Sequence, residues 1–228
     1  LDTTHGFFNG TSVFLMAHGL EDEAHAVEIL PPTGKPYKEW RVATAMTRDG
    51  AKEFGFGSYQ AEDYDELIDH PVEMGDFDLV SFRAGGVPHH IAVTGVHDAD
   101  LERLARDAKK ICDYQIDFFH DGDKPPMKRY VFLVTAVGEG YGGLEHRAST
   151  ALLCSRNDLP QKNHKSVSDS YRNFLGLVSH EYFHTWNVKR ILPAAFQPYD
   201  LALENYTSLL WAMEGITSYY DDLVLLRC

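Results

Sequence analysis

The sequence is short of several things, and each shortage excludes a class of protein. Its three cysteines, Cys112, Cys154 and Cys228, are scattered over 228 residues. They are too few and too far apart for a disulfide framework or a cysteine-built zinc site, and their scarcity suits a reducing compartment. Basic residues are also scarce: 21 Lys and Arg stand against 34 Asp and Glu, a formal net charge of −13. That balance argues against nucleic acid or an anionic membrane surface as the main partner. No stretch approaches the roughly 18 uninterrupted apolar residues of a membrane span. Internal repeats and low-complexity segments are missing, and no signal peptide precedes Leu1. The chain therefore reads as a processed or trimmed product whose original localisation is not legible.

What is present is a folding composition, 44% hydrophobic and 12% aromatic, sufficient to bury a core in one or two domains. Residues 1–75 read as short β segments at 12–16, 24–30 and 40–44, separated by Asn9-Gly10, Pro31-Pro32-Thr33-Gly34 and Asp49-Gly50. His5, His18 and His25 fall here as surface or packing residues. From Asp76 the pattern changes. Strands at 77–83 and 90–94 are joined across Gly85-Gly86. Asp98 or Asp100 can cap a helix running through Leu101, Leu104, Ala108, Ile111 and Cys112 to about Phe119. Residues 129–137 form the strongest strand, apolar enough to be central in a sheet. Two helices follow, at 168–188 with Ser168 or Asp169 as N-cap, and at 205–220, and the sum is an α+β fold.

The chemistry concentrates in the first of those helices, which contains His180-Glu181-Tyr182-Phe183-His184. Residues four apart share a helix face, so the two imidazoles can converge on one ion. Glu181 lies on their flank, within reach of a water held there. Two nitrogen ligands and a general base on one helix are the pattern of a zinc hydrolase. Composition alone would produce the motif about 0.04 times in such a chain, so a buried helix with satisfied histidines is the weaker reading. Zinc needs a third protein ligand if one position is to stay open. Glu214 is the candidate: a carboxylate in an otherwise apolar stretch, with Leu210, Trp211 and Thr217 three or four positions away, whose burial a metal would offset. Its alternative is a surface glutamate on an amphipathic helix. A glycine-rich loop at 138–143 then leads into Glu145, on what reads as an edge strand able to pair with a peptide.

Three stretches, His-Glu-Tyr-Phe-His-Thr-Trp-Asn-Val-Lys-Arg (180–190), Leu-Trp-Ala-Met-Glu-Gly-Ile-Thr-Ser-Tyr-Tyr (210–220) and Tyr-Gly-Gly-Leu-Glu-His-Arg-Ala-Ser-Thr (141–150), resemble the glycyl aminopeptidase family of zinc metallopeptidases. The opening stretch at 6–12 is similar to that family's N-terminal β region. The resemblance implies the C-terminal part of an N-terminal β domain over 1–75. A thermolysin-like catalytic domain over 76–228, truncated at its C-terminal side, would follow. It implies one Zn2+ on His180, His184 and Glu214, with Glu181 as base. It also implies a Gly-x-x-Glu element, Gly142 and Gly143 leading to Glu145, on the substrate's free α-amine. The implied activity is removal of small N-terminal residues, Gly or Ala, from peptides. An endopeptidase on the same scaffold and a metal-binding module with little turnover are the rivals. Relatives supply an oxyanion-stabilising tyrosine from a later segment, for which Tyr219 and Tyr220 are poor substitutes on the metal helix. The expectation is therefore metal binding with weak turnover, and self-association through an exposed apolar face.

Overall fold

The computed structural model describes residues 2–120, 122–162, 164 and 166–228. The chain enters through β1 (His5–Phe8), β2 (His25–Ile29), β3 (Arg41–Ala43), β4 (Thr47–Arg48), β5 (Gly57–Ala61), the short helix α1 (Tyr64–Ile68) and β6 (Val72–Gly75). These strands form two antiparallel three-stranded sheets, ordered β1-β6-β3 and β2-β5-β4. Ile29, Val42, Tyr59, Leu67 and Val72 are buried between them. The strand expected at 12–16 does not form. Gly10–Ser12 make a 3-10 turn, and a Cβ on Gly10 would lie 2.6 Å from the Ile68 carbonyl oxygen. The apolar residues beyond the turn pack as a loop, with Phe14 and Met16 against the core and Leu15 exposed.

The remaining elements are β7 (Asp78–Ala84), β8 (Val87–Thr94), α2 (Leu101–His120), β9 (Tyr130–Val137), β10 (Tyr141–Glu145), β11 (Ser149–Ser155), α3 (Asp169–Phe183) and α4 (Leu210–Arg227). Five strands form one mixed sheet, ordered β10-β11-β9-β8-β7. β9 is central, parallel to both β8 and β11, and residues 130–134 are all buried, as an apolar run demands. α2 buries Leu104, Ala108, Ile111, Cys112 and Ile116, one stripe at helical spacing. The Asp100 carboxylate caps it by accepting from the Arg103 amide at 3.0 Å. The fold is α+β. No helix among the described residues is long and apolar enough to cross a membrane.

Two of the boundaries that differ from the sequence expectation matter to the site. α3 starts at its expected cap, where Ser168 Oγ accepts from the Tyr171 amide at 3.1 Å, but ends at Phe183 and not near 188. The chain turns back there: Val188 adopts φ 134°, a left-handed value that a β-branched residue rarely takes. The Arg190 guanidinium donates to the Thr185 carbonyl, just past the helix end, and ties it to the carbonyls of Arg147 (3.0 Å) and Pro126 (3.1 Å). α4 starts five residues later than its expected first residue, because Asn205 is engaged with Asp200 in a loop (2.9 Å).

Behind α3, His89 is fully enclosed. The Val87 carbonyl accepts from its Nδ1 at 3.0 Å, so its Nε2 is left to accept from Tyr182 Oη at 2.9 Å. Burial pushes its pKa down to about 4. Because the folded value is below the ordinary 6.5, the unfolded chain takes up the proton first as pH falls. Stability is complete above pH 6.5 and lost on the way to pH 4, by about 2 kcal/mol at pH 5. Urea denaturation at pH 7 and pH 5 should show this loss, and His89→Gln should show a smaller one.

Candidate active site

α3 and α4 bring the three expected donors together. His180 Nε2 lies 3.1 Å from His184 Nε2 and 3.3 Å from Glu214 Oε2, and His184 Nε2 lies 3.6 Å from that oxygen. Donors at about 2.0–2.1 Å from a tetrahedral zinc are about 3.3–3.4 Å apart, so the triangle fits one ion of that size. The other ring nitrogens support the fit. His180 Nδ1 donates to Asp221 Oδ2 at 2.8 Å, and His184 Nδ1 donates to the Asn187 carbonyl at 2.6 Å. Each ring thereby carries its proton on Nδ1, and two bare Nε2 lone pairs face one another. That contact is repulsive unless a cation or a shared proton lies between them. Burial lowers the His180 pKa, but the bond to Asp221 and the charges of Glu181, Asp221 and Glu214 outweigh it and raise the pKa above its usual value. The same negative field favours a divalent cation.

Glu214 is not buried as its apolar neighbours suggested: its side chain is 52% exposed. Its helix is nevertheless fixed. The Asn187 side-chain amide donates to the Ala212 carbonyl (3.2 Å), the Met213 carbonyl (3.1 Å) and Thr217 Oγ1 (3.0 Å). Asn187 thus orients His184 through its own carbonyl and anchors Glu214's turn through its side chain. Asp221 and Asn187 were not singled out from the sequence. Asp221 could have been, because it follows Glu214 by seven residues and so shares its helix face.

Glu181 is 5% exposed and its Oε2 has no hydrogen-bond partner. Burial, followed by the charge of Glu145, pushes its pKa up to about 8, against the opposing pull of His180. Carboxylate oxygens of Glu145 and Glu181 and a ring nitrogen of His184 lie within 4.8 Å of one another. β10 supplies Glu145 from the edge of the sheet, with β11 on one side only. The two glycines expected in a loop lie inside this strand. A Cβ on Gly143 would sit 2.2 Å from Glu181 Oε1, whereas one on Gly142 meets nothing within 4 Å. Gly143 therefore lets the edge strand press against the Glu181 carboxylate. A groove of about 880 Å³ runs alongside, lined by Tyr141, Asn173, His180, Glu181, Asp221 and Leu225. Of the two tyrosines on α4, Tyr219 is exposed and Tyr220 stacks on Phe183, with ring centroids 5.4 Å apart.

Fold and donor set together define a candidate mononuclear metal centre on an α+β scaffold. The sequence profile of the M61 glycyl aminopeptidases matches residues 173–228, and that of the M61 peptidase N-terminal domain matches residues 1–76. Together the two matches span more than half of the chain, which belongs to the M61 glycyl aminopeptidase family. The crystal structure of an aminopeptidase N family protein from Idiomarina loihiensis superposes with a TM-score of 0.94 at 44% identity, over 99% of this chain. The chain spans 38% of that protein's length. No curated protein matches the chain.

The close approach at Gly143 makes a direct test. Gly143→Ala should lower stability by about 1–3 kcal/mol through overpacking against Glu181. Gly142→Ala, with open space around its Cβ, should stay within about 0.5 kcal/mol. Denaturant midpoints of the two variants check this.

Proposed function

We propose that this chain carries the catalytic centre of a zinc-dependent aminopeptidase that removes small N-terminal residues from peptides. The observation that carries the reading is the donor triangle of His180, His184 and Glu214, with Glu181 and Glu145 grouped beside it. On this reading residues 76–228 belong to the catalytic domain and 1–75 to the end of an N-terminal β domain. A zinc ion on the three donors supplies Lewis acidity toward a water and the scissile carbonyl. Glu181 then takes a proton from the attacking water and delivers it to the leaving amine. The unpaired Oε2 and buried setting of Glu181 suit a group whose partner arrives with the substrate. Glu145 pairs with the substrate ammonium, a charge-assisted bond worth about 1.5–3 kcal/mol, and so favours free over blocked N-termini. The free side of β10 offers backbone groups that hold the peptide in an extended form. Leu210, Trp211, Ile216, Tyr219 and Leu226 are exposed on α4, and self-association through that face is the partner reading beside the peptide, open to sedimentation analysis.

Two measurements on the intact protein test the centre. Glu181→Gln should retain stoichiometric zinc yet lose about 10²–10⁴-fold in kcat on an alanyl or glycyl amide; full activity would remove Glu181 as base. Asp221→Asn should weaken zinc about 10–100-fold in chelator competition, because the His180 ring loses its charged orienting partner. Unchanged zinc affinity there would remove Asp221 as the orienting partner, and no zinc in the unmodified protein after loading would overturn the ligand assignment.

A further inference from the structure

Asp69, immediately after α1, is a buried carboxylate of the N-terminal region. Its Oδ2 accepts from the Arg147 backbone amide at 2.8 Å. Its Oδ1 lies 2.6 Å from the Lys189 ammonium and 3.5 Å from His146 Nδ1. Burial pushes its pKa up, but His146 and Lys189 outweigh this and hold the carboxyl well below the usual range. The groups it holds are placed to matter. Arg147 is two residues beyond Glu145, in the tight turn closed by the His146 amide on the Ser149 carbonyl (3.0 Å). Lys189 is five residues beyond His184, and its own amide donates to the His184 carbonyl at 3.1 Å. Two further ties close the junction. The Arg147 carbonyl accepts from Arg190 at 3.0 Å, and the Arg147 guanidinium pairs with Asp65 of α1.

We propose that Asp69 is a positioning residue for substrate selection. By gripping the turn after Glu145 with one oxygen and the segment after His184 with the other, it sets the spacing between the amine anchor and the hydrolytic centre. The inference rests on the aminopeptidase reading and deepens it, because the ruler that measures one residue from the N-terminus is then fixed from outside the peptidase domain. The physical case is geometric. The end of an edge strand is held by one neighbouring strand alone, and a displacement near 1 Å in a positioning group can cost about 10²-fold in rate. A buried carboxylate with several fixed donors is a stiff restraint, since any slippage leaves a charge unpaired in a low dielectric. Asp69→Asn preserves the volume but removes the charge and turns one acceptor into a donor, so it cannot serve both Arg147 and Lys189.

The test uses the intact zinc-loaded protein, an alanyl anilide and its N-acetylated counterpart, with Asp69→Asn, Glu145→Ala and the double variant. Asp69→Asn should raise KM for the free-amine substrate roughly tenfold, keep kcat within about twofold, and leave the N-acetylated substrate and zinc affinity unchanged. In the Glu145→Ala background the same substitution should add nothing, because the residue it positions is gone. If Glu145→Ala affects free and blocked substrates alike, the amine-anchor reading itself fails. If Glu145→Ala separates them but Asp69→Asn lowers both equally, weakens zinc, or adds its full effect to Glu145→Ala, then Asp69 is a general brace and the proposal is overturned. Should Asp69→Asn fail to fold, Lys189→Gln leaves the bond to Arg147 intact and should reproduce the KM shift in milder form. No selective shift in that variant overturns the proposal equally.

Discussion

The site depends on the docking of α4 against the end of α3. Glu214 is half exposed and lies in a helix reached only after a long connector, so burial does not hold it in place. What holds it is the Asn187 amide, bonded to two carbonyls and one hydroxyl of α4. A second tie lies one turn deeper: Ser179 Oγ donates to the Asp221 carbonyl at 3.2 Å, and Gln115 of α2 donates to the Ser179 carbonyl and hydroxyl at 2.9 and 3.0 Å. Each is a buried or part-buried neutral bond worth about 1 kcal/mol. Together they fix the register of two helices whose exposed faces would tolerate sliding. The strained backbone at Val188 belongs to the same device, since it turns Asn187 so that its carbonyl meets His184 while its side chain meets α4.

The opposite wall is set by packing. β10 is an edge strand, and edges are usually blunted or covered. Here the edge approaches α3 closely enough that a single methyl group at Gly143 would collide with Glu181. That contact desolvates Glu181 and brings Glu145 beside it, the two largest of the three causes that raise the Glu181 pKa, the third being the charge of Glu214. A carboxylate in this position is costly to ionise without a cation nearby. The converging lone pairs of the donor triangle and the partnerless Glu181 oxygen express one concentration of negative potential.

Much of this was legible in the sequence where local rules decide. The α2 stripe, the central β9 strand, the Ser168 cap and the convergence of His180 with His184 follow from periodicity and cap chemistry over a few residues. The failures came where distant groups decide. Residues 12–16 have strand composition, but they pair with no strand among the described residues, and the chain packs as a loop after the turn beside α1. The sequence from Thr185 to Val188 can continue a helix, but Arg190 bonds the Thr185 carbonyl and α4 bonds the Asn187 side chain, contacts that a straight helix could not reach. The exposure of Glu214 was misjudged because apolar neighbours along a helix do not fix how much of its surface is covered. In α4 Leu210, Trp211 and Ile216 are themselves exposed.

The junction around Asp69 shows why the N-terminal sheets cannot be treated as a separate cap. Asp69, His146 and Lys189 come from three remote parts of the chain, and two of them are almost fully enclosed. A buried ionic cluster of this kind adds little net stability, because desolvation cancels most of the attraction. Its effect is on specificity. A misdocked N-terminal region would leave a carboxylate or an ammonium buried without a partner, at about 3–5 kcal/mol. An apolar contact of the same size would instead lose stability gradually as it slid. The ionic junction therefore admits one relative placement of α1, the turn after Glu145 and the segment after His184. Because those last two segments carry the edge carboxylate and a histidine of the donor triangle, the precision of the site is inherited from the docking of the domain beside it.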